Sequence, residues 1–334
     1  MSARDMGKVV LLMVPGGSDS TAMLELACAV RDESAPADDE LASMMARMLS
    51  AFEKCQLRVL HVNHMLRGED ANADERFVLR RCEQLGVPCE VRRVDIPSLA
   101  AERKGGTEAL AREERYRLAH QICPDGVICT AHTLDDRVET FYMRSLGGTG
   151  PGGFASIPRV RDQICRPLID ATREQLRDWL RARHPGIPDT ELWREDATND
   201  DGTNFRSQTR TRLIPILREL RPGFEKTLAQ TMDLIAEEDE MLHQQAVSIV
   251  YRNLSWDEKD AELPIEALRE LARPMARRVL RTALLVVNPD ARLESAQINR
   301  ILDNLTTAGY APATSGGIRV LVCDDKLAMH RALS

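Results

Sequence analysis

The sequence predicts an α/β fold, a mostly parallel sheet with helices on both faces, followed by a smaller helical domain with a terminal hairpin. Three observations predict it. Short β-branched runs alternate with helix-period segments in the amino-terminal part of the chain. The first of these runs breaks at glycines directly before a helix. Beyond Pro222 the strand signal gives way to helices until a last pair of short strands. Parallel strands need crossover connections, so a chain alternating strand and helix folds as a layered α/β domain.

Taken in order, Lys8 to Val14 (KVVLLMV) is strand-like, stops at Pro15-Gly16-Gly17, and yields to helical spacing from Asp19 to Val30. Glu33 to Glu40 (ESAPADDE) is acidic, lacks large apolar residues, and reads as a surface loop. Leu57 to Asn63 is a second strand, and Ala73 to Leu85 a helix ended near Gly86. Cys89 to Val94 is the third strand, Glu108 to Gln121 a helix, Gly126 to Ala131 the fourth strand, and Asp135 to Leu146 a helix. The glycine cluster from Gly147 to Phe154 is expected to form no regular element. Arg173 to Arg183 is helical and Trp193 to Asn204 is a polar loop. Helices follow at Phe224 to Tyr251, Pro264 to Leu271 and Pro274 to Val287, then a strand at Ile318 to Cys323, a turn at Asp324-Asp325 and a second short strand. A chain of 334 residues exceeds one usual core, and the seam is expected near Arg221, giving domains 1–221 and 222–334.

Composition narrows the function. With 43% hydrophobic and 29% charged residues, the chain reads as globular and neither disordered nor membrane-embedded. No apolar run approaches the roughly 20 residues of a membrane helix. Met1 to Asp5 leads directly into a strand without the features of a secretory signal, so a cytoplasmic protein is expected. The eight cysteines are Cys28, Cys55, Cys82, Cys89, Cys123, Cys129, Cys165 and Cys323. They form no CxxC pair and read as reduced thiols. A net charge of −7 argues against a protein that coats nucleic acid non-specifically but permits a local basic patch.

A strand feeding PGGSDS and then a helix gathers glycine amides, the Ser18 and Ser20 hydroxyls and a helix N-terminus, which suits a pyrophosphate. The plain alternative is a tight turn capped by Asp19. The pattern is neither GxGxxG nor GxxxxGK[ST]. Asp19, Asp135 and Asp136 are candidate carboxylates for Mg²⁺, which takes hard oxygen ligands. The adjacent pair also suits a helix N-terminus for its dipole alone. Glu139 falls one turn later on the same helix face. Arg112 and Arg115 are likewise one turn apart and can reach phosphate or base, or lie solvated. Arg206, Arg210 and Arg212 in FRSQTRTRL have no acidic neighbour within the segment, which fits a basic surface or a phosphate contact equally.

The loop resembles the SGGxDS loop of the N-type ATP pyrophosphatases, and further segments narrow the resemblance to the tRNA(Ile)-lysidine synthetase family. His61-Val62-Asn63-His64 with Leu66-Arg67 resembles its HVNHGLR stretch. Glu108-Ala109, Ala111-Arg112 and Arg115-Tyr116 resemble EAxARxxRY, and Ala131 to Thr140 resembles AxHxxDDQxET. Gly148 to Phe154 resembles GSGxxGL. Arg166-Pro167-Leu168, then Trp193, Glu195-Asp196 and Asn199-Asp200, resemble RPL and WxEDxSNxD. The matches run in the family's order over residues 8–220. Gly316-Gly317-Ile318-Arg319 resembles a hairpin of the family's middle domain.

The resemblance implies a PP-loop enzyme, an ATP-dependent carbon–nitrogen ligase. ATP would adenylate the ring carbonyl oxygen of the wobble cytidine in a tRNA(Ile) with a CAU anticodon, and free L-lysine would displace AMP to give lysidine. It implies ATP and Mg²⁺ as cofactors. Catalytic roles would fall to Asp19, Arg112, His132 and Asp136. ATP contacts would fall to Pro15, Gly16, Gly17, Ser18, Asp19, Ser20 and Asn63, and metal ligation to Asp19, Asp135 and Asp136. Contacts to tRNA or lysine would fall to Arg115, Glu139, Glu195, Asp196, Arg206, Arg210 and Arg212. The helical domain would touch tRNA away from the reacting base, and a homodimer is compatible with the sequence. Family members often carry a further carboxy-terminal domain, and this chain is expected to stop before one.

There are departures from the pattern. Pro15 replaces the leading serine, removing a hydroxyl and an amide donor. Thr133 stands where histidine is usual, with His132 one position earlier. Gly147 replaces an arginine, and Ser207 an asparagine. Pro15 and Thr133 suggest one rival, a tRNA-binding protein that no longer catalyses. A tRNA thiolase would need sulfur-carrying cysteines, and the lack of CxxC opposes it. A GMP synthetase-like amidotransferase would need a glutaminase segment, which is not expected before the loop.

Overall fold

The computed structural model describes residues 9–50, 55–103, 106–195, 204–257, 260–291, 294–307, 309–310 and 317–331. Two compact units divide the chain, Met1–Asp233 and Leu234–Ser334. Lys8 and Gly316 lie outside the described residues.

In the first unit the strands β1 (Val9–Met13), β2 (Gln56–Asn63), β3 (Cys89–Arg93) and β4 (Val127–Cys129) are the four the sequence predicts. A hairpin of β5 (Val160–Arg161) and β6 (Ile164–Cys165) extends them into one sheet, ordered β3-β2-β1-β4-β6-β5. All neighbours pair parallel except β5 with β6. The helices are α1 (Ser18–Arg31), α2 (Glu40–Leu49), α3 (Glu69–Gln84), α4 (Ile96–Arg103), α5 (Thr107–Ile122), α6 (Leu134–Gly147), α7 (Pro151–Phe154), α8 (Arg173–Arg183), α9 (Asp189–Leu192), α10 (Phe205–Gln208) and α11 (Ile214–Leu220). A π-helical turn, Thr209–Leu213, joins α10 to α11.

Strand alternation decides which helix covers which face. Val10, Leu12 and Val14 point to one side and pack with Met23 and Leu26 of α1, Met45 of α2, Val78 of α3 and Leu176 of α8. Leu11 and Met13 point to the other and meet Leu118 and Ala119 of α5. Both faces are thereby covered, which is why β1 is apolar throughout instead of alternating.

The expected loop at Glu33 to Glu40 ends in α2, whose Asp39 side chain caps the Ala42 amide. The glycine cluster is a correction: its second half forms the single turn α7, started by Pro151. Arg144 Nη1 donates to the carbonyls of Gly153 and Ser156, supplying from outside what the glycines lack in helix propensity.

The long helix α12 (Phe224–Asn253) contains the division between the units. The second unit holds an antiparallel sheet of β7 (Ser255–Trp256), β8 (Asp260–Pro264), β9 (Ile318–Cys323) and β10 (Lys326–Arg331) in the order β7-β8-β10-β9, with α13 (Glu266–Arg269), α14 (Arg273–Val287) and α15 (Ser295–Asp303). The helix expected from Pro264 is corrected to the end of β8 followed by the short α13. Ala261 and Leu263 of β8 are buried beside Leu280 of α14 and Leu327 of β10, so the alternation of β8 serves this core. Among the described residues no helix is long and apolar enough to cross a membrane.

Gly126 shows how tightly β1 and the approach to β4 meet, because a Cβ there would collide with the Val9 carbonyl oxygen and the Cys123 sulfur. Overpacking of this kind costs about 1–3 kcal/mol. Gly126→Ala should lower the urea midpoint accordingly, and an unchanged midpoint would show that the strands separate more easily than described.

Candidate active site

The crossover direction reverses between β1 and β4, so their carboxyl ends open a crevice that no connection covers, the usual ligand position in an open α/β sheet. The loop Pro15 to Gly17 leaves β1 there, and Thr130 to Thr133 leave β4 beside it.

Gly16 adopts a φ of +113°, a backbone that side chains rarely tolerate. Its amide donates to Ser20 Oγ at 3.2 Å, and Ser20 Oγ donates to the Gly17 carbonyl at 3.0 Å. Gly17 caps α1 with no side-chain hydrogen bond, so the first amides of a buried helix face the crevice without a capping group. The Arg194 amide donates to the Gly16 carbonyl at 2.9 Å, pinning the loop to the segment after α9. His61 Nδ1 donates to the Val14 carbonyl at 2.9 Å and holds its entry. Pro15 is exposed at the bend.

Facing the loop, Thr133 caps α6 in a reciprocal box: its amide and hydroxyl donate to Asp136 Oδ2 at 2.9 and 3.1 Å. That leaves Asp136 Oδ1 for Arg206 Nη2 at 2.8 Å and Arg173 Nη2 at 3.5 Å. Arg173 Nε also donates to Asp19 Oδ2 at 3.0 Å, so one guanidinium bridges the β1 and β4 sides. Asp135 takes the Arg173 amide at 2.7 Å and Arg218 Nη2 at 3.0 Å. Glu139, buried, takes Arg206 Nε at 2.9 Å and Arg210 Nε at 2.6 Å. Burial pushes the Asp136 carboxyl upward, but Arg206 and Arg173 outweigh it and hold the group below the ordinary carboxylate range. At Asp19 burial wins over Arg173, and the pKa is raised.

Asp19, Asp135, Asp136, Glu139, Arg206 and Arg210 therefore share one network. Arg112 is exposed over the Tyr116 ring at 5.0 Å, and the buried Arg115 Nε has no hydrogen-bond partner among the described residues. Asn63 is turned inward, donating to Glu75 Oε2 at 3.0 Å and accepting from the Met65 amide at 3.0 Å. Glu195 lies 3.7 Å from Arg177, and Arg212 is exposed. Asp196, Asn199 and Asp200 lie outside the described residues. Sequence reasoning missed Arg173, Arg177 and Arg218, which α8 and α11 deliver from far along the chain; no local pattern marks them. Among the described residues no three acidic, histidine or cysteine side chains converge as a metal cage.

His132 is half-buried, with Nδ1 2.8 Å from Thr130 Oγ1. Burial, reinforced by Arg166, Arg112 and Arg206 and opposed by Asp136, holds its pKa down at about 4 against 6.5 ordinarily. The imidazole is neutral at physiological pH and available as a proton acceptor. Between those two values the unfolded chain binds more protons than the folded one, so this contribution to stability is intact above about pH 6.5 and lost as pH falls toward 4. His132→Asn should flatten the decline of urea stability over that window. Parallel curves for the two proteins would contradict the burial.

Comparison with known proteins matches this architecture. The sequence model described as a PP-loop domain covers residues 2–217. The chain is 30% identical over 328 residues to a tRNA(Ile)-lysidine synthase of Chlorobaculum tepidum, covering 95% of this chain and 89% of that one. The enzyme of the same name from Geobacillus kaustophilus is 29% identical over 84% of this chain and 56% of its own length. The one from Thermus thermophilus is 37% identical over 71% and 46%. The chain thus spans about half the length of the latter two relatives. A PP-loop match over most of the α/β unit, joined to near full-length similarity with the Chlorobaculum protein, means that this chain belongs to the PP-loop family and, within it, to the tRNA(Ile)-lysidine synthase family.

Proposed function

We propose that the chain is a tRNA(Ile)-lysidine synthase, using ATP to adenylate the wobble cytidine of a CAU-anticodon tRNA and then joining free L-lysine to it. The observation that carries this reading is the uncapped start of α1 behind the Gly16 bend, set at the sheet's switch point opposite the Asp136 network. The amides of Gly17, Ser18 and Asp19 with the Ser18 hydroxyl suit the phosphate tail of ATP, because a helix N-terminus favours negative charge and glycine permits close approach.

A divalent cation fits the donor set in a limited sense. Magnesium is usually held by one or two carboxylates plus substrate phosphates, not by an all-protein cage. Asp19 and Asp136, already joined through Arg173, are the two that phosphates on the loop would bring it to. Asp135 would have to exchange Arg218 or the Arg173 amide to join them. When bound, magnesium would neutralise phosphate charge during adenylation.

The chain's own residues do the rest. Arg112 and Arg115, one turn apart on α5, have no carboxylate bonded to them among the described residues, and so suit the adenylate or a tRNA phosphate. Neutral His132 can take the proton released when the lysine amine attacks. Glu195 and Asp196 supply acidic groups for the lysine ammonium. Arg212, exposed at the end of the π turn, suits the tRNA backbone, whereas Arg206 and Arg210 are committed to Glu139 and would order that surface. Cytoplasmic location and action on tRNA follow from this reading, and a homodimer accords with it.

The decisive measurement is mass spectrometry of purified CAU tRNA after incubation with the protein, ATP, Mg²⁺ and labelled lysine. Lysidine and AMP are expected. tRNA binding without AMP would instead favour a protein that binds and no longer catalyses. Asp19→Ala should reduce product by at least about a hundredfold, the scale of losing electrostatic stabilisation at a reacting group, with tRNA affinity nearly unchanged. Strong residual synthesis would remove Asp19 from its role.

A further inference from the structure

The α8 helix brings two cations to the loop that no motif in the sequence marks. Thr172 caps α8 in a reciprocal box with Gln175, and Leu176 and Leu180 bury its inner face, so the helix is anchored without its arginines. Arg173 and Arg177, one turn apart, lean on the first residues of α1: Arg173 Nε donates to Asp19 Oδ2 at 3.0 Å, and Arg177 Nε to Ser18 Oγ at 3.4 Å. Trp193, fully buried, lies under Arg177 with the guanidinium carbon 5.6 Å from the ring centroid, and restrains its direction. Among the described residues the acidic partner of Arg177 is Glu195 at 3.7 Å, itself 70% exposed. Burial lowers the Arg173 pKa, but Asp19, Asp136, Glu139 and Asp135 outweigh it, so this guanidinium is permanently charged.

A guanidinium has five N–H donors in a planar fork. Arg173 commits Nε to Asp19 and Nη2 to Asp136, while its Nη1 stands 4.0 Å from Glu139, beyond hydrogen-bond length. Donors therefore remain on both arginines beside a helix start that has no side-chain cap. We propose that Arg173 and Arg177 form the second wall of the phosphate site and grip the pyrophosphate that leaves ATP, opposite the loop amides. This rests on the adenylating reading above. In that reaction the cytidine carbonyl oxygen bonds to the α-phosphorus. The bond from that phosphorus to the bridging oxygen breaks, and the electron pair stays on the departing pyrophosphate. New negative charge thus accumulates at the end of the nucleotide nearest α8, where fixed cations stabilise it most. The carboxylates of Asp19 and Asp136 hold the Arg173 fork in place before ATP arrives, which removes reorganisation from the step.

The test is calorimetric titration of the intact chain with pyrophosphate and, separately, with AMP, both in magnesium buffer, comparing the parent protein with Arg173→Lys and Arg177→Gln. Arg177 is part exposed, so its variant is expected to fold, and thermal unfolding checks both. Loss of a charge-assisted hydrogen bond predicts pyrophosphate binding weakened about tenfold or more in each variant, with AMP affinity changed less than about twofold. Unchanged pyrophosphate affinity in folded Arg177→Gln would overturn the inference, as would equal losses for both ligands, which mark a general loosening of the loop. If the parent protein binds neither ligand, the nucleotide reading itself falls, whereas parent binding with indifferent variants defeats the clamp alone.

Discussion

The Arg173 guanidinium between Asp19 and Asp136 is the contact on which the site depends. It joins the loop after β1 to the helix after β4, and its own backbone amide ties Asp135 to the start of α8. Without it two carboxylates would face each other in a crevice where burial already raises the Asp19 pKa. Removing one partner of a buried ion pair leaves an uncompensated charge, which costs far more than the pair contributes. The network therefore behaves as a unit. Arg206 and Arg210 repeat the arrangement at Glu139, whose buried carboxylate would otherwise stand unneutralised in the middle of α6.

Such a network is possible only because the sheet order puts β1 beside β4. Residues 19 and 136 lie far apart in the chain, yet each occupies the first turn of the helix that follows its strand. Parallel pairing brings both helix starts to the same end of the sheet, and the reversal of crossover direction leaves that end open. Two helix N-termini facing one crevice make it attractive to anions. The acidic side chains there would oppose this attraction if arginines from later segments did not compensate them.

What the sequence made legible follows the same division. Many elements with strong periodicity read correctly, including α8 at Arg173–Arg183 and the final hairpin, because burial of one face imposes its period on the residues, whereas the amphipathic α2 and α15 are absent from the sequence reading. Local apolar signals fail where partners are distant. The short α4 and β7 carry too few residues to show a period, and β8 carries Pro264 at its end, which reads locally as a helix start. The loop, the paired aspartates and Glu139 could be nominated from spacing alone. The counter-ions could not, because Arg206 and Glu139 are 67 positions apart and their pairing exists only in the fold. Arg206 and Arg210 of FRSQTRTRL lack acids within their own segment, and α6 supplies them.

The departures from the family pattern acquire physical content in this setting. Thr133 caps α6: its hydroxyl and amide fix one oxygen of Asp136, so the other is presented to Arg173 and Arg206. A hydroxyl is well suited to that task, since threonine is a favoured helix cap. The imidazole one residue earlier is kept neutral by its burial, which the positive charges of Arg166, Arg112 and Arg206 reinforce. Pro15 lacks an amide proton, but the next residue's amide is spent within the loop on Ser20, and the bend is closed by bonds that do not involve residue 15. Proline fixes its own φ and so limits the conformations from which the glycine turn must be selected. Its cost to phosphate binding is one donor at the rim, while the amides at the start of α1 are left in place.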